Sequence, residues 1–183
     1  MFKKVLFAAV LLASFSTMSF GQNMKFGIKG GLQSTNLSGD GHQYRDPRLG
    51  IFFGGFGQKA IQSKVIFQPE LLFSLQGSNE ESTDENINMW YLNVPLMFKF
   101  NVAGGFNLEA GPQLGFLLSA SADDDHISDD YNPLDLGLNF GASYNFTSHF
   151  EGGIRYCVGL TDAYDGRGDA YNRALQFSVG YRF

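Results

Sequence analysis

Apolar and polar residues alternate with a period of two in one segment after another of this 183-residue chain. In a typical segment the polar parity includes Asn93 and Lys99, and the apolar parity is Leu92, Val94, Leu96, Phe98 and Phe100. Successive side chains of a β-strand point to opposite faces of the sheet. The pattern therefore predicts strands with one apolar, nearly uncharged face and one polar face.

About eight such segments follow one another along the chain. They lie near residues 25–32, 49–56, 65–76, 92–100, 106–118, 134–144, 150–160 and 175–183. Segment 49–56 has apolar residues on both parities, so its two faces are left unassigned. Strands of roughly 9–13 residues are long enough to cross a membrane at a tilt.

The composition of the polar parity separates two kinds of barrel. In a soluble barrel the apolar face points inward around a ligand, and the charged face points to water. Here the apolar parity is rich in aromatic residues, and the polar parity holds amides, few charges and glycines such as Gly115, Gly137 and Gly141. We therefore expect an all-β fold, a transmembrane antiparallel up-and-down β-barrel of about eight strands, with the soluble barrel as the alternative.

The first residues have the order of a secretory signal peptide. Two lysines precede the apolar run 5–12, and the small residues Ser19 and Gly21 follow it. The run is shorter than the roughly 20 residues that a spanning helix needs, although an uncleaved anchor is the alternative. We expect a signal peptide at residues 1–21 and one outer-membrane β-barrel domain at residues 22–183, in a Gram-negative cell envelope.

The connections between the segments alternate in length. Short ones lie near residues 58–63, 101–105 and 145–149, and long ones near 33–47, 77–88, 119–132 and 161–172. The long connections hold two, four, five and three of the 18 acidic residues. Bacterial barrels have short periplasmic turns and long outer loops, so we expect periplasmic termini and acidic extracellular loops. The acidic balance of the chain argues against a nucleic-acid partner.

The polar parity carries charges of both signs, which we expect to pair inside the barrel because unpaired buried charges are costly. This expected lumen charge network consists of Lys29, Glu70, Lys99, Glu109, Asp135, Glu151, Arg155 and Arg182. If the last two strands pair with Leu160 opposite Arg173, Glu151 lies opposite Arg182. An eight-stranded barrel has room for side chains and little else, which disfavours an open pore.

The sequence offers weak candidates for chemistry. His126 and Ser128 have the His-x-Ser spacing of barrel-type outer-membrane lipid deacylases, but they lie in a polar loop rather than on one rigid strand. The neighbouring aspartates at 123–125 and 129–130 could bind divalent cations, although their spacing fits no calcium loop. Cys157 is the single cysteine and cannot form an internal disulfide. We therefore expect no catalytic residue, no cofactor and no metal site.

Four segments carry a resemblance to a known family. They are QPELLFS at 68–74, YLNVPL at 91–96, AGPQLG at 110–115 and RYCVGL at 155–160. These segments resemble the PorT-like outer-membrane β-barrel family, over nearly the whole mature chain. The resemblance implies the fold and the compartment, and it brings no shared catalytic residues to carry over.

The end of the chain looks like the signal that the barrel assembly machinery reads. This assembly signal is an alternating strand closed by a terminal phenylalanine, formed by Leu175, Phe177, Val179, Tyr181 and Phe183. An ordinary apolar last strand has the same pattern, and the two interpretations are compatible.

These observations favour a non-enzymatic barrel that presents acidic extracellular loops and has a structural or partner-binding role. Its expected partners are outer-membrane lipid, the barrel assembly machinery during biogenesis, and a surface or periplasmic protein that the sequence does not identify. A narrow porin-like pore or a secretion accessory is the second hypothesis. A lipid-modifying outer-membrane enzyme is the third.

Overall fold

The computed structural model describes residues 24–38, 45–80, 85–122, 125–126, 132–161 and 171–183. The strands in this part of the chain are β1 (Lys25–Ser38), β2 (Arg45–Gln62), β3 (Val65–Glu80), β4 (Glu85–Ala103), β5 (Phe106–Ala122), β6 (Asp125–His126), β7 (Leu134–Asn145), β8 (Phe150–Gly159) and β9 (Tyr171–Arg182). No helix in the described residues is long and apolar enough to cross a bilayer. The predicted signal peptide at 1–21 lies outside the described residues.

Eight of these strands form one closed sheet. Each pairs antiparallel with the next along the chain, β5 pairs with β7, and β1 closes the ring by pairing with β9. The two-residue strand β6 adds to β5 as a short hairpin. Closure leaves no open sheet edge, so backbone N–H and C=O groups bond within the wall as a bilayer requires. The predicted eight-stranded antiparallel up-and-down β-barrel is confirmed.

The strands on one side of the barrel are longer than expected. Strands β1 to β5 have 14, 18, 16, 19 and 17 residues, whereas β7, β8 and β9 have 12, 10 and 12. The difference arises because the β3–β4 hairpin keeps pairing as far as Glu80 opposite Glu85, inside the predicted loop 77–88. The expected upper length of about 13 residues is therefore wrong for this side of the wall.

The two ends of the barrel differ in their connections. At one end, called the turn side here, β2 and β3 are joined by residues 63–64, β4 and β5 by residues 104–105, and β7 and β8 by residues 146–149. Gly104 has a φ of 54°, a left-handed conformation that glycine adopts without strain. At the opposite end, the loop side, three connections are longer than every turn-side connection, as predicted. Residues 81–84 between β3 and β4 are the exception, because they are no more numerous than residues 146–149 at the turn side.

The alternating faces of the strands are the lumen and the outer wall. Lumen positions are mostly buried, and outward positions such as Phe26, Phe177 and Val179 are exposed. The structure resolves the two faces of β2, whose sequence has apolar residues on both parities. Phe52 lies inside the barrel at 2% exposure, and Phe53 lies outside at 52%. Apolar residues occur on both parities of β2 because phenylalanine also fills the lumen.

Aromatic rings cluster on the outer wall at the turn side, around β7, β8 and β9. Tyr181 makes edge-to-face contacts with Phe150, at a centroid distance of 5.0 Å, and with Phe183, at 5.7 Å. Tyr144 and Phe146 make a similar contact at 5.3 Å. Aromatic girdles at the two interfaces are typical of outer-membrane barrels, so this cluster fits the level of a membrane interface.

Candidate functional site: the barrel lumen

The strongest contacts in the lumen join Arg155 of β8 to carboxylates on two distant strands. Its Nη1 and Nη2 donate to the two carboxylate oxygens of Glu70, each at 2.8 Å, and its Nε donates to Glu109 Oε1 at 2.9 Å. All three residues are buried. The planar guanidinium matches a carboxylate with two parallel hydrogen bonds, which makes this a strong charge-assisted pair. Arg155 therefore ties β8 to β3 and β5 across the inside of the barrel.

Further charged residues extend this pair into a chain. Lys29 Nζ lies 3.4 Å from Glu70 Oε1, and Lys99 Nζ lies 3.5 Å from Glu109 Oε2. Lys99 also pairs with Glu151, whose other oxygen lies 3.9 Å from Arg182 Nη2. The structure thus joins seven of the eight charged residues that the sequence placed in the lumen. Each of the three glutamates has two cationic neighbours, which offsets the cost of removing charge from water.

The strand register behind one of these pairs differs from the prediction. Glu151 lies opposite Gly180 rather than opposite Arg182, and Arg173 lies opposite Val158 rather than Leu160. The predicted register between the last two strands is therefore wrong by two residues. Arg182 still approaches Glu151 because its long side chain reaches diagonally, and it also donates to Asn145 Oδ1 at 2.8 Å.

Asp135 stands apart from the charged chain. Its carboxylate accepts hydrogen bonds from Thr161 Oγ1 at 3.0 Å and from Asn172 Nδ2 at 3.2 Å, both neutral donors. Within the described residues, no Lys or Arg nitrogen forms an ion pair with it. Asp135 lies near the loop side, because it is the second residue of β7, whereas Glu151 is the second residue of β8 at the turn side.

Uncharged side chains fill the rest of the lumen. Gln33 donates to Ser74 Oγ at 2.7 Å and accepts from Gln176 at 2.9 Å. The bulky lumen residues that sequence reasoning missed are Phe52, Phe56, Leu72, Met89, Tyr91, Met97 and Leu117, all buried. The parity of their strands could have identified those on β4, since Tyr91 and Met97 alternate with outward residues. A cavity of about 10 Å³ remains near Asp135, which is room for about one water molecule.

The other sequence candidates contribute little to this interior. Cys157 is buried and lines the small cavity. Ser128 and most of the acidic run around it lie outside the described residues, and His126 is described only as a backbone position in β6. In the part of the chain that the structure describes, no three His, Cys, Asp or Glu residues group closely enough to hold a metal ion.

The closed barrel, its apolar outer wall and its polar lumen define an outer-membrane β-barrel protein. The sequence matches the outer membrane protein beta-barrel domain family over residues 19–165, and the chain belongs to that family. Membership places the protein in the outer membrane. No curated protein matches the sequence.

Solved structures show the same fold at low sequence identity. Neisserial surface protein A is 13% identical, with a TM-score of 0.66, over 88% of this chain and 100% of its own. Ail, the attachment invasion locus protein of Yersinia pestis, was solved with the heparin analogue sucrose octasulfate and is 16% identical, with a TM-score of 0.57 and the same coverage. Ail in a phospholipid bilayer nanodisc has a TM-score of 0.54, also at 16% identity, over 88% of this chain and 100% of its own.

Proposed function

We propose that this protein is a closed, non-enzymatic outer-membrane scaffold that presents acidic extracellular loops to a partner. The proposal includes membership of the PorT-like group, a Gram-negative envelope and periplasmic termini. It assigns a structural or binding role to the loops and no transport role to the lumen.

The observation that carries the proposal is the filling of the lumen. Arg155, Glu70 and Glu109 cross the interior in one hydrogen-bonded group, and Phe52 and Tyr91 occupy further lumen positions, all buried. A diffusion pore needs a continuous aqueous path, and eight strands leave an interior just wide enough for side chains. A narrow pore therefore has little support from this interior.

Single-channel recording in planar bilayers tests the closed state. We expect the purified barrel in concentrated KCl to show no discrete conductance steps. The quadruple variant Lys29→Ala/Glu70→Ala/Glu109→Ala/Arg155→Ala removes equal numbers of positive and negative side chains from the interior, leaves Lys99 paired with Glu151, and serves as the comparison that conducts. Discrete steps from the unaltered protein would contradict a closed scaffold.

The acidic loop side supports a binding role because 14 of the 18 acidic residues fall in the ranges 33–47, 77–88, 119–132 and 161–172. Some of these residues, such as Asp46, Glu80 and Glu85, lie in the loop-side ends of strands rather than in the connections. Such loops attract cationic surfaces and repel anionic ones. Changing the aspartates at 123–125 and 129–130 to asparagine should release a partner that cross-links to the unaltered protein in its native membrane. The cross-linked set should return with a restored loop, and an identical set from both proteins would refute a role for this loop.

The termini give two further expectations. The mature protein should begin at Gln22, after a signal peptide at 1–21, and should fractionate with the outer membrane; N-terminal sequencing decides this, and retention of Met1 would refute it. Outer-membrane lipid should surround the apolar wall, and the barrel assembly machinery should receive the C-terminal strand. A lipid-hydrolysis activity that disappears in Ser128→Ala would overturn the non-enzymatic assignment.

A further inference from the structure

We propose that the outer wall binds one anionic phospholipid at the turn-side end of the β2–β3 hairpin, where Lys59 and Lys64 hold the phosphate of its headgroup. This inference goes beyond the scaffold and loop functions, because it concerns the lipid-facing wall at the end of the barrel opposite the acidic loops. The choice of a phospholipid over a lipopolysaccharide rests on the periplasmic orientation of the turn side proposed above, and the experiment below separates the two.

Lys59 lies on the lipid-facing side of β2. Gln58 before it is 5% exposed and faces the lumen, so the exposed Lys59 faces outward. Directly opposite it on β3 is Phe67, whose ring centroid lies 5.2 Å from that of Phe98 on β4. Ile61, nearer the turn, is also exposed. Lys59 is therefore a cation set in an apolar wall, at the same end of the barrel as the aromatic cluster of β7, β8 and β9.

Lys59 and Lys64 differ from the lumen cations in having no carboxylate partner. Among the described residues neither lysine forms an ion pair, whereas each lumen cation lies within 4.0 Å of a glutamate oxygen. A charged side chain on the lipid face is tolerated near the interface, where a long stem carries the charge to the headgroups. The anionic group that lies at that level of a membrane is a lipid phosphate.

The turn side as a whole has the charge that suits an anionic leaflet. Lys25, Lys59 and Lys64 are exposed there, and the one glutamate close to this end, Glu151, is buried and paired with Lys99. Most acidic residues of the chain fall in the loop-side ranges instead. Each Lys or Arg close to an anionic membrane surface contributes roughly fivefold to affinity. Charge complementarity thus favours an anionic headgroup at this end of the wall.

Lys64 places a second ammonium group on the same hairpin. It lies in the two-residue turn between β2 and β3, and its carbonyl accepts a hydrogen bond of 2.8 Å from the N–H of Asn101, which fixes the turn against β4. Lys59 is three residues from the end of β2, roughly 10 Å along the strand. The long, flexible stems of two exposed lysines can bridge that separation to one headgroup.

The wall beside this cation pair is recessed toward the middle of the barrel. Gly55, outward on β2, lies between Ile28 on β1 and Leu71 on β3. A Cβ added to Gly55 would meet a single atom within 4 Å, at 3.6 Å, whereas Gly57 next to Lys59 is covered by the side chain of Met24. An acyl chain that runs inward from a headgroup at Lys59 reaches the level of Gly55. A soluble anion gains nothing from this recess.

Native mass spectrometry of the folded mature barrel in detergent tests the site, with phosphatidylglycerol and phosphatidylcholine of the same acyl chains as probes. The unaltered protein should bind one phosphatidylglycerol at least roughly tenfold more tightly than phosphatidylcholine. Lys59→Gln should weaken phosphatidylglycerol binding roughly fivefold, and adding Lys64→Gln roughly fivefold again, with phosphatidylcholine binding unchanged. Equal phosphatidylglycerol affinities for the unaltered protein and the double variant would overturn the proposal.

Three further variants separate this site from net charge. Lys25→Gln removes an exposed lysine at the same end but on the lumen parity of β1, opposite Gln58. Arg173→Gln removes an exposed, outward cation of β9 near the loop side. Each should change phosphatidylglycerol affinity by less than about twofold, and Lys59→Arg, which keeps the charge, should retain binding. A loss from either control as large as that from Lys59→Gln would refute the assigned site.

Competition identifies the source of the phosphate. Millimolar sodium phosphate should not displace phosphatidylglycerol, because it has no acyl chain to place against the wall. Displacement by free phosphate would overturn the lipid assignment and indicate a general anion site. Lipopolysaccharide that competes at equal affinity, and loses this ability in Lys59→Gln, would overturn the choice of a phospholipid and the proposed orientation. Neither result bears on the acidic loops, whose cross-linking test concerns the opposite end of the barrel.

Discussion

The two halves of the lumen differ in how their charged side chains are paired. On the turn side, seven charged side chains form one chain of ion pairs, and Arg155 has three of its nitrogens bonded to carboxylates. On the loop side, Asp135 has two neutral partners, and two amide oxygens nearby have none. The turn-side charges are thus largely neutralised by one another, whereas Asp135 on the loop side has no cationic partner among the described residues and lies next to a cavity.

The free space beside two glycines of β7 also differs between the two halves. A Cβ on Gly141, beside the turn-side charges, would lie 2.5 Å from the carbonyl oxygen of Ile154 and 3.1 Å from Glu109 Oε1. A Cβ on Gly137, four residues nearer the loop side on the same strand, would find its nearest atom, the carbonyl oxygen of Val158, at 3.0 Å. Along β7, packing is therefore tighter beside the paired charges than beside the cavity.

The largest expected effect concerns the C-terminal residue, which lies at the turn side where β9 pairs with β1 and closes the barrel. The N–H of Phe183 donates to the carbonyl of Phe26 at 2.9 Å, and its ring contacts Tyr181. Deleting Phe183 should greatly reduce the yield of folded, heat-modifiable barrel in cells, because the barrel loses the hydrogen bond to Phe26 just beyond β9 and the proposed assembly signal loses its terminal phenylalanine. Deleting Asp124 from a loop should leave the yield nearly unchanged. Equal yields from the two deletions would contradict this.

Next in size is the loss of the central cation. Arg155→Ala leaves Glu70 and Glu109 buried with weaker partners, and removing one member of a buried pair typically costs about 3–5 kcal/mol. We expect that loss in the free energy of unfolding, measured with urea in lipid vesicles. Adding Glu70→Gln and Glu109→Gln should recover part of it. Asp135→Asn is the loop-side control and should cost less than about 1 kcal/mol; a cost equal to that of Arg155→Ala would remove the contrast between the halves.

Much of this architecture follows from alternation. The parity of Leu92 to Phe100 predicted the outer wall, and the parity of Lys29, Glu70 and Arg155 predicted which charges lie inside. Both depend on the strand geometry of single segments, which a sequence shows directly. The two faces of β2 could not be assigned in this way, because Phe52 packs in the lumen while Phe53 faces outward. No local pattern distinguishes a lumen phenylalanine from a lipid-facing one.

Properties that depend on two strands were harder to predict. The register between β8 and β9 depends on how far the strands continue into the 161–172 connection, and its prediction was wrong by two residues. The same reason explains the excess length of β3 and β4, whose hairpin keeps pairing beyond Gly77. To predict that Asp135 lies apart from the charged chain, one also needs its position along the barrel axis. Alternation alone does not give that position.

Two substitutions on β7 test whether packing is tighter beside the charged residues than beside the cavity. Gly141→Ala should destabilise the barrel by about 1–3 kcal/mol, since the new methyl group presses on the Ile154 carbonyl and the Glu109 carboxylate. Gly137→Ala, which enters the looser half, should cost clearly less in the same urea titration. A larger cost at Gly137 would show that the loop-side cavity is no less tightly packed than the charged half.

The smallest expected effect lies at the turn-side mouth, where the charged chain ends. Arg182 has a side chain 13% exposed, its Nη2 is 3.9 Å from Glu151 Oε2, and it has Asn145 as a second partner. After Arg182→Ala, Glu151 keeps its pair with Lys99, so no carboxylate is left alone. The cost should therefore be about 1 kcal/mol, and the coupling energy between Arg182→Ala and Glu151→Gln about 0–1 kcal/mol, as for an exposed pair. A double-mutant cycle in urea measures this coupling. A value near that of the Arg155 contacts would mean that the mouth is sealed from water and that the buried, paired region extends to the end of the barrel.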